Sequence, residues 1–175
     1  KVFNDSASPL YGRRTNEIVL ENLPLYNLYN ELNISIEEFI ILWSVFEGVP
    51  YYYELIDKKN SSTENINQLV ISKSSQLKEE GKVILSVEFG RDSKTYNTII
   101  SAISEGKTKL NEIASLFGNK KNEVVKYLDT LRKDFNLVRK VTPITENPDK
   151  SREGRYEIID HFLSFWFLTL DRQRS

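Results

Sequence analysis

YNTIISAISEGKTKLNEIASLFGNKKNEVVKYLDTLRKDF, residues 96–135, decides the fold. Tyr96, Ile99, Ile100 and Ile103 stand at i, i+3, i+4 and i+7, which puts them on one face of a helix that ends at Gly106. Leu110, Ile113, Ala114 and Phe117 repeat the spacing within Lys109 to Phe117. Gly118 is expected to close that second, short helix, because it takes positive φ without steric cost. Asn119 is expected to cap a third helix. The apolar face of that helix is Val124, Leu128, Leu131 and Phe135, while Lys120, Lys121, Lys126, Arg132 and Lys133 lie away from the core. It is the element placed to read a groove.

Two β-rich runs follow, Leu137 to Ile144 and Arg155 to Ile159, on either side of a segment rich in charge and proline, Thr145 to Gly154. Three helices and a hairpin in this order predict a winged helix-turn-helix with the hairpin as its wing. The last helix, Phe162 to Leu170, is dense in aromatic residues and is expected to pack on the three-helix core. At about nine residues it is too short to cross a bilayer, which takes roughly 20.

Charge is uneven along the chain. From Lys107 to Arg155, 12 Lys and Arg stand against seven Asp and Glu, a local +5 that leaves −6 for the remainder of a chain whose net charge is −1. A basic field of this kind suits phosphate contacts, since neutralising phosphates releases counterions. The expected contacts are Lys120, Lys121, Lys126 and Arg132 on the third helix, with Lys150, Arg152 and Arg155 on the wing. Glu123, Asp129 and Asp134 interrupt the basic face, so a solvated surface or a protein-docking surface is the competing reading.

Upstream, Leu25 to Leu32 and Ile36 to Phe46 read as helices, the second opened by Ser35 with Glu38 three residues on, the pattern of a capping box. Phe39, Ile40, Trp43 and Phe46 recur at helical spacing and read as core. Gly48-Val49-Pro50 reads as a C-capping glycine followed by a proline at the first turn of the next helix, Tyr51 to Ile56. Further helices are expected over Thr63 to Lys73 and Gln76 to Phe89, with a boundary at Gly90 to Ser93. Glu17 to Leu20 reads as a strand, and one strand needs a sheet to join. The fold expected is therefore mainly α. A stub (residues 1–22) precedes a helical domain (23–92) and a winged-helix domain (93–175).

Composition narrows the function. Of 175 residues, 39% are hydrophobic and 28% charged, ordinary values for a globular protein. With no cysteine and a single histidine, His161, the chain has no thiolate or multi-histidine metal site, so no metal is expected. Lys1 to Pro9 lacks the apolar core of a signal peptide, and no membrane partner and a cytoplasmic location are expected. The lack of a methionine even at position 1 leads us to expect a piece of a longer product.

Three stretches resemble one family: LYGRRT (10–15), the junction EGVP–YYYELI (47–56), and the run from ISAISEGKTKLNEIASLFG (100–118) to VVKYLDTLRKDFNLVRKVTPITENPDKSREGRYEIIDHFLSFWF (124–167). They look like the archaeal ATPases of the STAND branch of AAA+ proteins, and the likeness spans nearly the whole chain. Its most specific parts are the SR-GRY hairpin and the D-FL-FWF helix. The resemblance implies that a P-loop ATPase core precedes the helical domain, which would be its lid, and that Glu17 to Leu20 is the core's last strand. It implies ATP or ADP and magnesium in the intact parent, none in this fragment, and the missing core as a partner. Members of that branch assemble on activation, so an oligomer is compatible with the resemblance. Gly48 and Pro50 resemble the GxP element that lies against adenine, and Arg13 and Arg14 resemble arginines placed near the γ-phosphate, where a guanidinium offers paired donors. A helix corner and a surface ion pair are the plain alternatives.

No G-x-x-x-x-G-K-[ST] loop and no apolar strand ending in paired acids occurs in the sequence, so the chain itself is not expected to be an enzyme. The adjacent pairs Glu37–Glu38 and Glu79–Glu80 diverge by about 100° around a helix and do not converge. The expected function is a nucleotide-sensing regulatory module whose winged helix binds double-stranded DNA. The alternative is a winged helix used for protein or autoinhibitory contacts.

Overall fold

The computed structural model describes residues 21–89, 93–147, 151 and 153–171. Five helices make the first half: α1 (Leu25–Leu32), α2 (Ile36–Phe46), α3 (Pro50–Glu54), α4 (Ser62–Ile66), which continues as a π-helical turn over Asn67–Ile71, and α5 (Glu80–Phe89). The second half runs α6 (Ser93–Ser104), α7 (Leu110–Ser115), α8 (Lys121–Lys133), β1 (Val138–Val141), β2 (Arg155–Ile158) and α9 (His161–Trp166), the last continuing as a π-helical turn over Phe167–Asp171. The chain is mainly helical with one small antiparallel two-stranded sheet. The strand expected at Glu17 to Leu20 lies outside the described residues. Among those residues no helix is long and apolar enough to cross a membrane.

In the first half, α1 and α2 have the bounds the periodicity gives them, but Ile40, read as core, is exposed, and Leu42 and Val45 take the buried positions with Phe39 and Phe46. The capping box does not close. Ser35 Oγ accepts from the Glu38 N–H at 3.2 Å, but the Glu38 carboxylate turns to the Ser62 N–H at 2.5 Å instead of returning to Ser35. Hydrogen bonds from Ser62 hold that carboxyl below its ordinary range. The reciprocal box belongs to α4, where the Ser61 N–H donates to Glu64 at 2.8 Å and the Glu64 N–H donates to Ser61 Oγ at 3.3 Å. Behind it Asn65, 2% exposed, accepts from the Asp57 N–H and donates to the carbonyls of Asp57, Asn60 and Ser61. This one amide satisfies four backbone groups of the turn.

Pro50 opens α3 as expected. Gly48 does not cap α2, because Glu47 takes the positive φ of 48° there. Glycine is needed at 48 for close approach: a Cβ would sit 2.2 Å from the Leu23 carbonyl oxygen, and the Leu23 N–H donates to the Gly48 carbonyl at 2.8 Å.

In the second half Gly118 takes φ +61° and Asn119 follows it at +62°. Asn119 therefore does not cap α8, whose N-cap is Lys120 without a side-chain bond. The left-handed pair finishes α7 instead, turning the Asn119 N–H back to the Ala114 carbonyl at 2.9 Å. Asparagine tolerates this conformation better than other residues with a side chain. Val124, Leu128 and Leu131 bury the inner face of α8, and β1 pairs with β2 in the register Val138 to Ile158 and Lys140 to Tyr156.

The halves meet at α9. The sequence places this helix on the three-helix core; its continuation packs on α6, and the helix itself also packs on α2 and α5, so it lies between the halves. Its Trp166, 1% exposed, donates from Nε1 to the Lys78 carbonyl at 2.7 Å, and Gly81 makes room for the indole, since a Cβ there would come within 2.4 Å of it. Phe162 stacks on Tyr52 at 5.0 Å, and His161 Nδ1 lies 3.4 Å from the Trp43 carbonyl oxygen. Asp160 caps α9 by accepting from the Leu163 N–H at 2.8 Å, and burial nevertheless pushes its carboxyl up. Buried apolar residues from Leu28 to Leu170 form one cluster through both halves.

Candidate nucleic-acid interface

At about 100° per residue, the core side of α8 is fixed by Val124, Leu128 and Leu131, and the opposite side carries Asn122, Glu123, Lys126, Asp129 and Lys133. That outward face is electrically balanced. Lys133 and Arg132 pair with Asp129 at 3.9 and 3.6 Å, and Lys120 pairs with Glu123 at 3.7 Å. Lys121 and Lys126 have no ion pair among the described residues.

The unbalanced charge lies beside α8, in a cleft of about 420 Å³ between the starts of α7 and α8 and the hairpin. Three lysines line it: Lys109 just before α7, Lys121 at the first position of α8, and Lys140 in β1. Leu110, Gly154 and Tyr156 supply apolar and backbone walls, and no carboxylate lines it among the described residues. Two contacts fix the arrangement. The Tyr156 N–H donates to the Thr108 carbonyl at 2.8 Å, and Lys109 forms an antiparallel bridge with Arg155, so the chain ahead of α7 is tied to the hairpin. Lys140, half-buried, lies across Gly154, where a Cβ would fall 2.2 Å from its Cε, and its Nζ donates to the Ser151 carbonyl at 3.1 Å. Charges of one sign against low-dielectric walls concentrate a positive potential there.

Of the residues expected from the sequence, Lys121 lies in the cleft and Arg155 stands exposed on the adjoining strand. Lys120 and Lys126 are exposed on the flanks of α8. Arg132 is some three turns farther along, 21% exposed and beside Asp129. Lys150, Arg152, Arg13 and Arg14 lie outside the described residues. Sequence reasoning missed Lys109 and Lys140. The signal for Lys140 was strand alternation: it shares the inward face with Val138, which is fully buried, so its ammonium had to meet something inside.

Of the first-half residues that the resemblance assigns to nucleotide, Gly48 packs against Leu23 and Pro50 stands exposed at the start of α3. No group of three or more Asp, Glu or His among the described residues is placed to hold a metal.

The chain is similar to an uncharacterized protein of Methanocaldococcus jannaschii, 32% identical over 161 residues, a match that covers 91% of this chain and 36% of that protein. It thus spans about a third of that relative's length. No family model matches the chain, and no solved structure does.

Proposed function

We propose that residues 93–171 are a winged helix-turn-helix that binds duplex DNA, within a lid-and-winged-helix portion of a longer ATPase-like protein. The carrying observation is the cleft where Lys109, Lys121 and Lys140 converge without a carboxylate among its described lining residues. The order α6-α7-α8-β1-β2 supports the fold name, and the greater length of the archaeal relative is compatible with a missing core. In such a fold the third helix enters the major groove and the hairpin lies along the backbone. Most of the exposed large apolar side chains lie in the first half, at Leu25, Tyr26, Ile36 and Ile40 among others, which supports DNA over a protein partner for this half; the exceptions here are Leu116, Val141, Ile144 and Leu168.

The test is affinity for a mixed-sequence duplex across a salt series. Affinity should fall steeply with salt, and changing Lys120, Lys121 and Lys126 together to Ala should flatten the dependence. No binding even at low salt overturns the reading. The nucleotide part has its own test: in the longer parent, Pro50→Ala should weaken ATP or ADP binding, and unchanged affinity rejects contact by Pro50.

A further inference from the structure

Resting on that DNA-binding reading, we propose that the cleft seats a single phosphate of the DNA backbone, shared by Lys109, Lys121 and Lys140, with the adjoining sugar against Leu110 and Tyr156. The lysines come from three separate elements and face one space, instead of lying in a row that would follow successive phosphates. No carboxylate is among the described lining residues; the Glu112 carboxylate accepts from the Lys109 backbone N–H at 2.9 Å, and an anion in the cleft would be drawn to all three charges. Lys140 has only a neutral acceptor, the Ser151 carbonyl, and a phosphate oxygen is a stronger, charge-assisted one. The volume, about 420 Å³, falls toward the small end of ligand-sized pockets, which run from roughly 300 to 1,000 Å³, and fits a sugar-phosphate unit better than a larger ligand. The seat lies off the outward face of α8, so it positions the helix on the backbone and reads no base.

The full chain and its variants are titrated onto a mixed-sequence duplex at several salt concentrations. The triple change Lys109→Gln, Lys121→Gln and Lys140→Gln should weaken binding at low salt by about 100-fold and reduce the log–log salt slope by about 1, the loss of one phosphate contact. A slope reduced by about 3 overturns sharing, because each lysine then holds its own phosphate. Unchanged affinity and slope in a variant that melts like wild type overturn the seat while the DNA reading stands. If wild type fails to bind the duplex at low salt, both fall. Should that same protein bind inorganic phosphate, seen by chemical-shift changes at Lys109 and Lys140, the cleft serves a free phosphate and the backbone assignment is wrong. The single change Lys109→Gln guards against misfolding of the triple variant, since this side chain is exposed, and it should weaken duplex binding by about tenfold. No loss in that variant overturns the seat as well.

Discussion

The two halves differ in which polar groups they satisfy internally and in what they leave at the surface. Residues 21–89 consume theirs: Asn65 makes four hydrogen bonds to backbone, Glu38 and Glu64 serve helix starts, and Tyr53 donates its hydroxyl to the Glu47 carbonyl at 2.7 Å. That half also carries most of the exposed large apolar side chains, among them Tyr26 at 71% and Ile40, read from its spacing as core, at 55%. Among the described part of residues 93–171, Lys109, Lys121 and Lys126 have no ion pair, and the exposed large apolar side chains are fewer: Leu116, Val141, Ile144 and Leu168. One half ties its own loops down, and the other holds lysines that no ion pair among the described residues neutralises.

The contrast would break at the seam first. Trp166→Ala removes the indole between the halves and leaves the Lys78 carbonyl without its donor, which should lower stability by about 3–5 kcal/mol. Because the apolar cluster is continuous, both halves should lose stability together. The chain has two tryptophans, so in this variant Trp43 alone reports on the first half. Urea unfolding followed by its fluorescence should shift with the helical signal. If the Trp43 transition stays at the wild-type midpoint, the halves are independent.

A smaller effect distinguishes two glycines. Gly48→Ala drives a Cβ into the Leu23 carbonyl and should cost up to about 3 kcal/mol. Gly118→Ala meets open space and costs only the left-handed backbone, about 1 kcal/mol. Asparagine sharpens the test, since it should recover much of the loss at 118 and none at 48. Equal losses in thermal melts would mean that Gly48 is not held by close approach.

What could be read from the residues follows the range of the interactions involved. The bounds of α1 and α2 and the inner face of α8 were legible because apolar periodicity and local breakers act within a few residues. Glu38 was misassigned because its choice between Ser35 and Ser62 is settled by α4, 24 residues away. Gly48 was read as a cap because the Leu23 carbonyl that demands it is distant in sequence. Asn119 looked like a cap for the helix ahead, and the turn behind it claimed its backbone. Helical phase placed Lys121 off the apolar face of α8, but Lys109 and Lys140 join the cleft through the pairing of the hairpin with the chain before α7, which no local pattern encodes.

The smallest effect concerns the balanced face of α8. Asp129 pairs with both Arg132 and Lys133, and its own side chain is 46% exposed. Exposed pairs of this kind contribute about 0–1 kcal/mol, so Asp129→Asn should move the melting midpoint little. The same change raises the local charge by one and frees Lys133 on the outward side. Duplex affinity at low salt should therefore rise severalfold, and the gain should fade as salt screens it. A rise that persists at high salt points to a base or shape contact through the new amide rather than to charge. Unchanged or weaker binding would mean that this end of α8 faces away from the duplex, confining the interface to the helix start and the lysine cleft.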